Sequence, residues 1–418
     1  MLSFARRRPI ATAMLTVLIV TCLASGVFAI QLVAQVISAA TPPPAVHFDH
    51  GLTPPDLRAP KKWTNEYCGT CHKAEFEQWS KSRHAVSGTT HNFEVEFLEP
   101  DGGRQQHCLN CHAPRNPTGE LFPTEEPIGI DAAYKEQHSW VKDGIDCLTC
   151  HVRNGEVLVT RNSAKAAAAH PIRVAPELGK AEFCAGCHQF SFKSHVLPDG
   201  YFGQLQQASF EEFLDFRANG GAETSCQDCH MPDGDHTIPG GYDDEMLRSA
   251  VDLDIRAEWK ESLRQVFIEV DISAGHVGHR VPGGEHFRFL TVHTSVNDGD
   301  GKEVIAPSNE STNHDDLVSK WPQIEMLRRE MGPAEQGSDN PEDQPNPDTR
   351  LWPNEIRTYR YRMAIDPTTL LAPLKIRAEL WYHLMHQSKA ESFGHSLDEV
   401  KRMVLSKEAS LRFEDVAQ

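Results

Sequence analysis

The chain has 418 residues, of which 39% are hydrophobic and 24% charged, with a formal net charge of −18. This length allows two or three domains with cores of their own. The acidic balance excludes a nucleic-acid-binding face, which must neutralise phosphates with Lys and Arg, and favours a basic docking partner. In chain order, residues 1–40 read as a targeting segment. Arg6, Arg7 and Arg8 precede an uncharged stretch whose densest apolar part, Ile10 to Ile30, is long enough for a transmembrane helix. The arginines would stay in the cytoplasm and everything beyond Ala40 would lie outside it. A cleaved signal ending at Val27-Phe28-Ala29 or Ser38-Ala39-Ala40 is the competing view. Residues 41–62 hold six prolines and read as an extended tether.

Ten of the eleven cysteines fall into five copies of one pattern between residues 63 and 252: Cys68/Cys71/His72, Cys108/Cys111/His112, Cys147/Cys150/His151, Cys184/Cys187/His188 and Cys226/Cys229/His230. The eleventh, Cys22, lies in the N-terminal segment. In each copy two thiols three positions apart reach the vinyl groups along one edge of a haem, and the adjoining histidine is held beneath the iron as proximal ligand. Zinc would need converging pairs and no histidine after every second cysteine. A thioredoxin-like CxxC would not recur five times. The cofactor expectation is therefore five covalently attached haem c groups, with haem supplying much of the core. Short helices are expected between motifs, at Ala74–Arg83 and Phe210–Ala218, among turn clusters.

Residues 253–418 have a different texture. Val266–Ile272 alternates with period two, as do parts of Phe287–Val296, Ile356–Ile365 and Leu374–Tyr382. An antiparallel β-sandwich without haem motifs is expected, with a loop at 333–349 and a short helix at Ser396–Ser406 capped by Ser396 and Glu399. The fold class is thus α+β by segment: a loop-rich, mostly helical pentahaem domain, then the sandwich.

Function turns on the second axial ligand. Two histidines per iron give a six-coordinate haem suited to electron transfer, whereas an open iron can bind small molecules. The candidate distal ligands are His84, expected on a helix with Phe76, Trp79 and Ser82; His138 and His170, flanking the third motif; His236, after the fifth; and His279, in the loop Gly275–Gly284. His107 and His195 are weaker candidates. His47, His50, His314, His383, His386 and His395 read as surface or satisfied core residues, and Met231 as packing. A loop His279 entering the haem array would tie the two domains together.

The run Tyr67–His72 followed by Phe76, Trp79, Ser82 and His84 resembles the opening of cytochrome c-552/c-554-type multihaem proteins, relatives of the hydroxylamine oxidoreductase haem array. Gly144–Cys147, Phe183–Gln189 and Ser225–Pro232 are also similar to that group, and the loop around His279 is similar to that of members with an appended β-sandwich. The resemblance implies haems in parallel and perpendicular pairs, mostly with two histidines each, and makes His84 and His279 distal ligands. The loop departs from the usual Pro-Thr-Gly at Pro282-Gly283-Gly284, and Tyr242 stands where a histidine is often seen. Two functions follow. The first is an electron carrier on the periplasmic side of the bacterial inner membrane, anchored or cleaved and soluble, between a membrane donor and a periplasmic acceptor. The second is a multihaem oxidoreductase acting on a small nitrogen or sulfur compound at one open haem.

Overall fold

The computed structural model describes residues 59–60, 62–98, 108–109, 111–114, 139–191, 205–302, 324–329, 348–364 and 373–412. The N-terminal segment, His138, His107, His195 and nearly all of the 333–349 loop lie outside these. Among the described residues no helix is long and apolar enough to cross a membrane.

The haem-motif half is built from short helices: α1 (Asn65–Gly69), α2 (Lys73–Ser80), α3 (His91–Leu98), α4 (Cys147–His151), α5 (Ala164–Ala169), α6 (Ala181–His188), α7 (Ser209–Ala218), α8 (Cys226–His230) and α9 (Asp244–Ala250). Two small sheets accompany them, β1 (Val152–Arg153), β2 (Glu156–Val159) and β3 (Ile172–Val174), then β4 (Gln189–Ser191) with β5 (Leu205–Ala208). Helix α2 ends at Ser80, earlier than the sequence suggested. His84 therefore sits in the turns at 81–89, where buried Ser82 accepts the Ala85 amide at 3.3 Å. Apolar contacts here are local. Trp63, Leu148 and Val152 cluster beside Cys68 and Cys147, and Ala181, Ala185, Phe210 and Phe213 cluster beside Cys226.

From Asp252 onward the chain forms two antiparallel sheets. One has order β10 (Ile356–Ala364), β7 (Gln265–Ser273), β6 (Asp252–Lys260); the other has order β12 (Lys401–Leu411), β11 (Leu374–His383), β8 (Phe289–Asn297), β9 (Ile324–Arg328). Period-two patterning decides which face is buried. Val266, Ile268, Val270 and Ile272 of β7 and Leu374, Ile376, Ala378 and Leu380 of β11 all join one apolar cluster. Mixed helix and antiparallel sheet agree with the α+β expectation.

The helix expected at Ser396–Ser406 is corrected. The Ser396/Glu399 capping box forms, but it serves a single turn, Leu397–Glu399, after which the chain pairs along β11 as the eleven-residue strand β12. The open edge of β11 offers a full ladder of backbone partners, which outweighs a local helix signal of one turn. Helix α3 is tied to α10 (Gln387–Ser392) and its C-terminal turn by His91 Nε2 to the Phe393 carbonyl at 2.7 Å and His395 Nε2 to Asn92 Oδ1 at 2.6 Å. His383, by contrast, is core: it stacks on Phe289 and meets Thr291 Oγ1 at 2.9 Å.

Candidate haem-binding centre

The third, fourth and fifth motifs each lie on one helical turn, and the geometry explains the spacing. Positions i, i+3 and i+4 share a helix face, so two thiols and an imidazole project to the same side. Helices α4 and α8 consist of the motif alone, and α6 ends with it. In the first motif α1 is continued by the His72 amide bonding the Cys68 carbonyl at 2.9 Å. Such short helices need caps. Asp146 accepts the Thr149 amide and hydroxyl, both at 2.7 Å, Thr64 accepts the Tyr67 amide at 3.2 Å, and Asp228 inside the fifth motif completes a capping box with Ser225.

The motifs are packed against one another. The Cys68 and Cys147 thiols are in hydrogen-bond contact, as are Cys111 with Cys187 and Cys184 with Cys226. Cys150 lies within electrostatic range of Cys184 and Cys187, and burial pushes its thiol up to about 12. The fourth motif is the hub, touching the second and fifth and lying near the third, which in turn meets the first. Asn65 Oδ1 accepts the Cys147 amide at 3.1 Å, and Gln227 Nε2 donates to the Leu178 and Lys180 carbonyls, each at 2.9 Å, fixing these neighbours.

Three imidazole pairs face one another across a gap. The ring centroids of His84 and His188 are 6.3 Å apart, those of His151 and His236 6.2 Å, and those of His230 and His279 6.3 Å with planes within 6° of parallel. Two imidazoles on opposite sides of one metal ion, with bonds of about 2.0 Å, place their centroids roughly 6 Å apart once about 1 Å from nitrogen to ring centre is added on each side. The gap therefore fits one iron.

The tautomers agree. Nδ1 faces Leu158 O at 3.3 Å in His151, Gln207 Oε1 at 3.1 Å in His188, and Pro239 O at 2.7 Å in His230. On the opposite side, Nδ1 of His236 faces Gly234 O at 2.7 Å and that of His279 faces Arg280 O at 2.9 Å. Each acceptor fixes the proton on Nδ1 and leaves the Nε2 lone pair for a metal. Burial lowers the pKa of His112, His151, His188 and His230, and lowers that of His84 to about 4, keeping the rings neutral as ligation requires.

His112 stacks on Phe93 at 4.5 Å with Nδ1 3.0 Å from Ser87 O. His170 lies 6.5 Å from Trp63 with its buried Nδ1 unpartnered among the described residues. Of the five candidate distal histidines, three are placed opposite a motif histidine and His170 is not.

Three residues that sequence reasoning missed position these rings. Ser87 Oγ lies 2.8 Å from the His84 carbonyl and 2.7 Å from the His112 carbonyl, and accepts the Ile145 amide at 3.1 Å. Gln78 Oε1 accepts the His236 amide at 3.2 Å, and Gln207 orients His188. None belongs to a motif, so only the fold reveals them. Gly144 is a fourth constraint. Its φ is +58° and a Cβ there would meet the His84 carbonyl oxygen at 2.4 Å. Gly144→Ala should displace His84 and destabilise the fold by about 1–3 kcal/mol, read as a lowered denaturation midpoint together with partial loss of low-spin haem.

Residues 67–152 match the model of a family described as cytochrome c554 and c-prime, a span that covers the first three motifs. No curated protein matches the sequence. The crystal structure of a penta-heme cytochrome c552 from Thermochromatium tepidum superposes with a TM-score of 0.63 at 20% identity, over 84% of this chain and 99% of that one. A protein from Bordetella pertussis named as ApaA is matched over 39% of this chain and 86% of that one, at 10% identity and a TM-score of only 0.13, too low for its fold to inform this one. The family match spans the first three motifs, and the chain shares the fold of a protein described as a penta-heme cytochrome.

Proposed function

We propose that this chain is an exported, membrane-anchored pentahaem cytochrome c that passes electrons from a donor in the inner membrane to a periplasmic acceptor. The observation that carries the reading is the set of three facing imidazole pairs, His84/His188, His151/His236 and His230/His279, at the separation one iron requires. In this reading Cys68, Cys71, Cys108, Cys111, Cys147, Cys150, Cys184, Cys187, Cys226 and Cys229 form the thioethers. His72, His112, His151, His188 and His230 are the proximal ligands. The half-buried His170, whose Nδ1 has no hydrogen-bond partner among the described residues, serves the first haem, because Trp63 lies beside His170 and in the cluster that Cys68 packs against.

Haem supplies a one-electron couple when bound. The protein holds its ligands in fixed tautomers, keeps neighbouring motifs in contact, and sets potentials through burial and hydrogen bonds. An iron with two imidazoles changes little on reduction, which suits a carrier. Residues 1–40, with Arg6–Arg8 before an apolar stretch, supply the anchor, and the charge of −18 favours basic redox partners.

The test is the EPR spectrum of the oxidised holoprotein together with its mass. A mass excess of five haems and predominantly low-spin signals are expected. A mass equal to the bare polypeptide sinks the reading. A large high-spin signal that shifts with nitrite or hydroxylamine would instead make the chain an oxidoreductase acting at an open haem.

A further inference from the structure

Between the haem motifs and the strand domain lies a half-buried acid connected to His188. Glu285 is half-buried and accepts a 2.7 Å hydrogen bond from Gln207 Nε2, while Gln207 Oε1 accepts from His188 Nδ1 at 3.1 Å. One side-chain amide thus links the carboxyl group to the proximal histidine of the hub motif. Glu285 also lies within electrostatic range of Cys111 of the second motif, whose thiol touches Cys187 of the fourth.

We propose that Glu285 is a proton-uptake site coupled to electron arrival at the iron held by His188, so that the chain moves protons as well as electrons. This rests on the haem assignment above. As an electron arrives from the upstream donor and ferric iron becomes ferrous, a proton from solvent joins a Glu285 carboxylate oxygen. The local charge is then unchanged, and reoxidation releases the proton. No other bond is made or broken.

The wire gives the coupling a mechanism. Ionised Glu285 pulls on the Gln207 amide, makes its oxygen a stronger acceptor, and draws the His188 Nδ1 proton outward, which enriches the ring and favours ferric iron. Protonation weakens each step and favours ferrous iron. Several groups face Glu285. They are Arg288 on its own segment, Glu96 of α3, and Lys389 of α10, which is ion-paired with Glu96. Beyond them, Arg288 is engaged with Tyr382, whose hydroxyl oxygen accepts from it at 3.1 Å, and with Tyr242. With the nearest cations spoken for in this way, burial dominates and holds the Glu285 carboxyl above the ordinary glutamate range.

The test is a redox titration of the full holoprotein between about pH 5 and pH 9. Between the Glu285 pKa values of the oxidised and reduced states, one haem midpoint should fall as pH rises, by up to about 59 mV for each tenfold drop in proton activity. Glu285→Gln should flatten that dependence and hold the midpoint near its acid-side value. Gln207→Leu, which cuts the wire but leaves the acid, should shrink the slope. Redox-difference infrared spectra of the unmodified protein should gain a protonated-carboxyl band on reduction. A flat wild-type profile, no such band, or a full slope retained in Glu285→Gln would each overturn the proposal. A flat profile with five low-spin haems leaves the carrier reading intact.

Discussion

Replacing His279 by Ala should turn one haem equivalent from low spin to high spin while five haems remain attached. His279 Nδ1 is held by its own loop at Arg280 O, 2.9 Å away, and its ring lies parallel to His230 across 6.3 Å. Alanine removes the donor, and nothing on the main chain at that position can replace a nitrogen lone pair. The thioethers at Cys226 and Cys229 would still hold the haem, so haem count and mass should not change. Exogenous imidazole should restore the low-spin signal, since it refills a ligand-sized gap without changing the protein elsewhere. His276→Ala is the matched control. His276 lies on the same loop but is exposed, so that variant should keep the wild-type spectrum. An unchanged spin count in His279→Ala would remove the facing-imidazole interpretation, since this pair has the best-aligned rings of the three.

The proposed haem-attachment residues could be singled out because their chemistry is local: thiol, thiol and imidazole at one short spacing need nothing from the rest of the fold. The partners were only partly legible. His236 stood out by its place shortly after the fifth motif and His279 by its Gly- and Pro-rich loop, yet no spacing rule says that His84 faces the fourth motif rather than the first. That pairing depends on where α2 ends and on Ser87 and Gly144 holding the following turns. Gln207 could not be found from sequence, because a lone glutamine on a short strand carries no pattern. In the strand half, alternation located β7, β8, β10 and β11, since their buried positions are mostly apolar. Strand β6 was hidden by acidic and basic residues facing outward, as with Arg256, which bonds Asp271 and Glu269 of β7. Strand β12 was misread because the capping box before it is real while its pairing partners on β11, from His383↔Lys401 to Leu374↔Leu411, lie well back along the chain.

The loop that delivers His279 depends on a buried ionic network, and breaking it should give a large loss of stability. Glu212 of α7 and Arg350 are ion-paired, with side chains only 8% and 5% exposed. Arg350 also bonds Asp348 at 2.8 and 3.0 Å and the Pro282 carbonyl at 3.1 Å, while Glu212 accepts the Arg280 amide at 3.2 Å. The network thus clamps both sides of the Arg280–Pro282 turn and joins it to the helix beside the fourth and fifth motifs. Glu212→Ala would leave the buried Arg350 guanidinium with Asp348 as its remaining carboxylate, so the cost should lie at or below the about 3–5 kcal/mol typical of a buried charge that loses its partner. Replacing the pair with matched apolar side chains should cost less, because no charge is then stranded. Asp348 adds a pH dependence. Burial raises its pKa, but Arg350 and Arg280 more than offset this and hold it below the ordinary aspartate value. Its contribution is therefore present above the unfolded pKa and lost as pH falls through the lower folded value. Chemical denaturation of wild type, Glu212→Ala and the apolar double variant would check this, with the spin state of the fifth haem read in parallel. A Glu212→Ala protein as stable as wild type would mean that the loop is held by its haem ligand alone, and that the ion network follows the fold rather than shaping it.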